Sequence, residues 1–260
     1  MSDQTLLLRE ETEDGVVRLT LNRPAAFNSL SRALLDALHG ALDEIAASQS
    51  ARVVVLAGHG KAFCAGHDLK EMGAERTAPA VHALFAHCSA LMLKLQALPQ
   101  PVIAEVDGIA TAAGCQLVAA CDLAICTEDS RFATSGIKYG LFCSTPMVAL
   151  ARNIPQKAAM EMLLTGDFID AAEAHRLGLV NRVVARDELG HAVAALIARL
   201  VDKPKAALAL GKRAFYRQQS MPAAEAYGFT TEVIVENAIG DDFAEGLAAF
   251  VEKRRPIWPS

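Results

Sequence analysis

No uninterrupted apolar run in this chain reaches the ~18–20 residues that a helix needs to cross a bilayer, so no membrane span is expected. A basic excess is missing as well. The net charge is −5 and the pI is near 5.8, which argues against nucleic acid as a partner. An anionic small ligand stays compatible, because local donors can bind it against the overall charge. The six cysteines, at 64, 88, 115, 121, 126 and 143, include no Cys-x-x-Cys pair and no Cys/His cluster with zinc spacing. They read as small buried hydrophobes of a reducing compartment. No histidine pair has His-Glu-x-x-His spacing, and no metal site is expected. Also absent are a Gly-x-Gly-x-x-Gly after a strand, a P-loop and a Gly-x-Ser-x-Gly elbow. The first residues are acidic (Glu10, Glu11, Glu13, Asp14), unlike a signal or Arg-rich transit peptide. A cytoplasmic protein is the expectation.

What is present is a large apolar fraction, 52% of 260 residues. That suits one large domain, or one domain with an appendage. Val16 to Leu21 alternates and is rich in β-branched residues, so it reads as a strand. Ser31 stands as an N-cap before Leu34, Leu35, Leu38, Leu42 and Ile45, which share one helix face. Arg52 to Ala57, Pro101 to Ala104 and Leu123 to Cys126 are continuous apolar runs of the buried, parallel-strand type. Pro79 begins a helix that runs to about Leu98. Residues 155–164 and 170–176 read as helices, and 179–184 as a short strand. From Asp187 onward the pattern is helical, over 187–201, 204–219, 222–238 and 241–253, with breaks at Lys203-Pro204, Met221-Pro222 and Gly240. Strands and helices thus alternate through about residue 184, and helices follow. The fold class is α/β with a helical appendage.

The stretch Val106 to Asp122 carries the chemistry. It turns through small residues after a strand and starts a helix near Ala113 or Gly114. The N–H groups of a first helical turn lack intrahelical partners, and the helix dipole adds positive potential there. Small residues let a ligand oxygen approach those donors. Such a site stabilises an oxygen that gains charge during reaction. The same pattern also suits a tightly packed strand-to-helix turn. The stretch 132–146 has no clear period. It reads as a loop with polar side chains at Thr134, Ser135, Lys138, Tyr139, Cys143, Ser144 and Thr145.

Together these segments resemble the enoyl-CoA hydratase/isomerase (crotonase) superfamily. The resemblance runs over nearly the whole chain. It includes Leu21-Asn22-Arg23-Pro24 with Asn28, Ala62 to Leu69, Gly108 to Asp122, Met160 to Gly166, Gly178-Leu179-Val180 and Phe250 to Arg254. It implies a spiral of ββα units over residues 1–200 and a helical trimerisation region over 201–260, as a homotrimer or dimer of trimers. It implies an acyl-CoA thioester as ligand, with coenzyme A part of the substrate and no separate cofactor. The thioester carbonyl is then received by the backbone N–H groups of His67 and Ala113, an oxyanion hole. His67, Asp68, Leu69 and Lys70 match the family's adenine-binding stretch. Phe250 and Lys253 match C-terminal residues that reach CoA, often on a neighbouring subunit. Ala25 and Ala26 depart from the pattern, standing where relatives often place a basic residue for the CoA phosphates.

The family's hydratases use two glutamates, one to activate water and one to deliver a proton. At the matching positions this sequence has Gln116 and Gly136. Neither can exchange a proton near neutral pH. Weak hydration is therefore expected, and decarboxylation or isomerisation fits the remaining features better. Ser144 matches a position where some relatives carry a catalytic acid. Two alternatives remain open at this point: a catalytically silent acyl-CoA-binding protein, and a hydrolase using Ser144 or Cys143.

Overall fold

The computed structural model describes residues 5–260. The chain opens with β1 (Leu7–Glu11) and β2 (Val16–Leu21), an antiparallel pair with Leu7 opposite Leu21. The alternation of β2 buries Val17, Leu19 and Leu21. Helix α1 (Arg32–Ala47) starts where expected, with the Leu34 N–H donating to Ser31 Oγ at 3.2 Å. Its five periodic apolar residues are all buried.

A repeat then sets in. Strand β3 (Val53–Gly58) is followed by β4 (Ala62–Cys64), the short helix α2 (Leu69–Ala74) and the long helix α3 (Ala78–Ala97). Strands β5 (Val102–Val106) and β6 (Ile109–Thr111) lead to α4 (Ala113–Ala120). Strands β7 (Leu123–Thr127) and β8 (Arg131–Ala133) lead through a 3₁₀ turn (Ser135–Tyr139) to α5 (Pro146–Asn153). The first strand of each unit joins one sheet, ordered β1-β2-β3-β5-β7 with β10 (Arg182–Val184) at its edge; it is parallel except for β1. The second strand of each unit joins another sheet, ordered β4-β6-β8-β9, where β9 is Ile169–Asp170. This is the ββα repetition that the resemblance implied.

Alternate residues of β3 face two different cores. Val54 and Leu56 pack with α1, α3 and α4, whereas Val53 and Val55 pack with Leu189, Val193 and Leu196. The latter belong to α8 (Leu189–Val201), which covers the other face of the six-stranded sheet. Burial on both faces is why these strands read as unbroken apolar runs. Helix α3 has the length and apolar composition of a membrane span, yet its Leu84, Cys88, Leu91, Met92 and Leu95 lie buried in the main core. Helices α6 (Gln156–Thr165) and α7 (Ala171–Leu177) precede β10. After α8 come α9 (Lys205–Gln218), α10 (Ala223–Ala238) and α11 (Asp241–Glu252). All six cysteines are free and buried.

Candidate active site

The site begins where two segments meet back to back, the exit of β4 and the start of α4. Gly66 has φ +89°, and a Cβ placed on it would lie 2.9 Å from Ala112 Cβ and 3.2 Å from the Ala113 nitrogen. A Cβ on Gly114 would overlap the Cys64 carbonyl oxygen. Glycine at both positions is what lets the backbones approach. Ala112 turns the chain from β6 into α4 with φ 51° and ψ −119°, a strained conformation for a residue with a Cβ. Helix α4 is buried along its whole length. Among the described residues, neither the His67 N–H nor the Ala113 N–H donates to any backbone or side-chain acceptor outside the regular elements. Two bare donors thus lie on adjoining segments, and both residues line one cavity.

That cavity measures about 250 Å³. It takes in four of the expected positions, His67, Ala113, Gly136 and Ser144, together with Leu69. Phe85 from α3 and Tyr139 and Phe142 from the opposite loop make its aromatic walls. Ser144 is exposed, and its hydroxyl donates weakly to the Phe142 carbonyl at 3.3 Å. Cys143 lines the cavity with its thiol pKa pushed up by burial, which disfavours a thiolate nucleophile. Thr134 is buried and Lys138 pairs with Asp167 at 2.7 Å; neither lines the cavity. Ser135 does, with its hydroxyl 2.7 Å from that of Thr111.

The two glutamate positions fare differently. Gln116 is 4% exposed, and its side-chain oxygen has no partner. It faces not this cavity but a neighbouring one of about 260 Å³ between α3 and α5, with Gln96 and Arg152; Thr145 lines both. Gly136 is overlaid by its own loop. Leu141 donates its N–H to the Gly136 carbonyl at 3.0 Å, and a Cβ at 136 would overlap the Leu141 carbonyl oxygen and lie 2.9 Å from Cys143 Sγ. The space for a side chain there is filled by backbone.

His67 is the cavity's unusual side chain. Its ring meets Phe85 edge-on, with centroids 4.9 Å apart. Burial lowers its pKa to about 4, against a smaller opposing pull from the Leu30 carbonyl. The imidazole is therefore neutral at physiological pH. Neither ring nitrogen makes a well-aligned hydrogen bond.

The residues matched to CoA binding divide. The Asp68 carboxylate is committed elsewhere: it caps α2 by accepting from the Lys70 and Glu71 N–H groups, and it pairs with Arg23 at 2.9 Å. Lys70 is exposed. Phe250, 81% exposed, and Lys253 lie at the end of α11 and outside the cavity lining. Sequence reasoning did not find Phe85, Phe142 or the strain at Ala112. The apolar composition of α3 does not single out Phe85, and nothing in the small-residue run Thr111-Ala112-Ala113 announces positive φ at an alanine; the signal available was only the shortness of the turn between β6 and α4.

The family model described as Enoyl-CoA hydratase/isomerase matches this chain over residues 11–260. The chain belongs to the enoyl-CoA hydratase/isomerase family. It is 44% identical to the enoyl-CoA hydratase domain-containing protein 3, mitochondrial, of Xenopus laevis, over 95% of this chain and 84% of the relative. The human protein of that name is 41% identical over 94% and 81%. Among solved structures, an enoyl-CoA hydratase of Mycobacterium smegmatis is 55% identical with a TM-score of 0.97, covering 99% of this chain and 100% of that one. The human domain-containing protein 3 structure is 40% identical with a TM-score of 0.94, covering 98% and 100%. These likenesses carry the crotonase fold. They also correct one expectation. The relatives from frog, rat, mouse, human and zebrafish all bear the word mitochondrial in their names, which overturns the cytoplasmic reading. Glu10 and Glu11 belong to strand β1, so their charge reflects an exposed strand position rather than an address.

Proposed function

We propose that this protein binds an acyl-CoA thioester with its carbonyl oxygen between the His67 and Ala113 N–H groups. The observation that supports this reading is the pair of acceptor-free donors on one apolar cavity. Each preorganised donor of this kind is worth roughly 2.7–4 kcal/mol at a transition state. Hydration is weak, because a general acid or base contributes about 10²–10⁴-fold and neither Gln116 nor Gly136 supplies one. Coenzyme A enters as part of the substrate. The residues from 201 onward form the assembly surface of a homotrimer or a dimer of trimers, a reading supported by exposed Tyr227, Ile239, Phe250 and Val251 on and beside α10 and α11. In such an assembly Phe250 and Lys253 reach the CoA of a neighbouring copy.

The test is calorimetric titration of the purified protein with butyryl-CoA, followed by crotonyl-CoA hydration. Binding with hydration at least ~100-fold slower than a two-glutamate relative is expected. Hydration at the relative's rate overturns the second part, and absence of binding overturns the first. The closure of the loop over Gly136 favours a second reading, a silent acyl-CoA binder. Binding without product across an acyl-CoA panel would select it.

A further inference from the structure

The second cavity, of about 260 Å³, is built from α3, α4 and α5. Gln116 reaches it from α4, Ser89 and Gln96 from α3, and Arg152 from α5, beside the apolar Met92 and Val148. Among the described residues, no aspartate or glutamate lines it. The Gln116 side chain is buried, and its Oε1 is shut in without a partner. Its Nε2 has no hydrogen-bond acceptor among the described residues and is not shut in, so the amide turns its N–H groups to the cavity that it lines. A buried amide left this way calls for a group from outside to complete it. Arg152 is exposed on the last turn of α5. Its Nη1 donates to the Val148 carbonyl at 2.7 Å, and no carboxylate of the described residues pairs with the guanidinium.

Resting on the acyl-CoA reading, we infer that this second cavity receives the far end of the acyl group and selects one that ends in a carboxylate: the ligand class is the CoA monothioester of a dicarboxylic acid. Ala113, whose N–H is assigned to the thioester oxygen, and Gln116 stand nearly one turn apart on α4, about 4.5 Å along the helix axis. Thr145 lines both cavities, and its side chain makes no capping bond. An acyl chain that leaves the carbonyl at Ala113 and passes Thr145 arrives at Gln116 within a few carbons. Its methylenes lie against Met92 and Val148. Its terminal carboxylate accepts from the Gln116 amide and from the Arg152 guanidinium, whose planar fork matches a carboxylate. A carboxylate taken out of water needs such partners, and no acidic side chain of the lining opposes it.

The amide at 116 then has a positive part to play. The hydratases that this sequence resembles carry a glutamate at the matching position. A glutamate here would set a negative charge beside the ligand's own and repel it. Glutamine keeps the outline, carries no charge and donates. The exchange that takes a proton carrier away from hydration is thus the one that admits an anionic tail.

The experiment titrates the full chain calorimetrically with glutaryl-CoA and with pentanoyl-CoA, whose acyl groups have the same number of carbons and differ in the terminal carboxylate. Wild-type protein is expected to bind glutaryl-CoA at least ~10-fold more tightly than pentanoyl-CoA. Arg152→Gln, a surface change that leaves the core untouched, and Gln116→Glu are each expected to cut that preference below ~3-fold. The preference is also expected to shrink as salt is raised, because the Arg152 guanidinium is exposed. Equal affinities in wild type, or tighter binding of pentanoyl-CoA, overturn the inference and leave the acyl-CoA reading standing. A preference that survives undiminished in both variants also overturns it. Failure of wild-type protein to bind either thioester overturns the inference and the acyl-CoA reading together.

Discussion

The cavity has two facing walls, and glycine plays opposite parts in them. On the donor wall, Gly66 and Gly114 bring β4 and α4 so close that backbone touches backbone, and two N–H groups are left without acceptors. On the loop wall, Gly136 lets the Leu141 carbonyl settle where a side chain would otherwise stand. The first pair of glycines leaves room for backbone donors. The second removes the room for one made of side chain. The donor wall and the loop wall thus rest on different local geometry, and either can change without the other.

The strongest way to break this comparison is Gly114→Ala. Its Cβ has no room beside the Cys64 carbonyl. The variant is expected to lose about 3 kcal/mol of unfolding free energy by overpacking and to bind butyryl-CoA roughly 100-fold more weakly, read by denaturant unfolding and calorimetry. Unchanged affinity would detach Gly114 from the donor wall.

Acid titration probes the side chain between the walls. The folded pKa of His67 is about 4, below the ordinary 6.5. Between those values the unfolded chain binds more protons than the folded one, so stability rises with pH. Its contribution is complete above about pH 6.5 and is lost as pH falls towards 4. The difference amounts to up to about 3 kcal/mol. Unfolding curves at about pH 7 and pH 4.5 should differ less in His67→Phe than in wild type; equal differences would contradict the shift.

The loop wall is tested by Gly136→Glu with Gln116→Glu. Restoring both carboxyl groups is expected not to restore hydration, since residue 136 has no side-chain space while Leu141 stays in place. About 2 kcal/mol of stability is expected to go with it. A gain of roughly 100-fold in crotonyl-CoA hydration would show that the loop yields readily. The smallest effect belongs to Ala112→Gly, which relieves a positive φ and is expected to stabilise the fold by about 1 kcal/mol. A lowered melting temperature would show that the Ala112 methyl packs usefully against Gly66.

The fold was legible wherever periodicity had length to express itself. Ser31 and the Leu34–Ile45 face pointed to α1, and the apolar runs to β3, β5 and β7. The second sheet escaped that reading because β4, β6, β8 and β9 are two or three residues each, too short for any period. Helix α5 lay hidden behind the aperiodic stretch that ends at Pro146. Of the site, the Ala113 turn was visible in its small residues, and the resemblance supplied its pairing with His67. The closure over Gly136 was not visible. A missing side chain can be read from a sequence, but whether its volume is left open or filled depends on a loop whose path no local pattern encodes.

One ammonium group outside the cavity lining joins the segments behind it. Lys212 of α9 donates to the Leu95 and Gln100 carbonyls, each at 2.9 Å, and pairs with Asp122 at 2.6 Å. Asp122 also accepts from the Val102 N–H at 2.7 Å and the Tyr216 hydroxyl at 2.8 Å. These acceptors sit at the end of α3, before β5 and after α4. Phe85 lies in the N-terminal half of α3, and Ala113 begins α4. Lys212 thus rivets together, from behind, the segments whose other parts line the cavity.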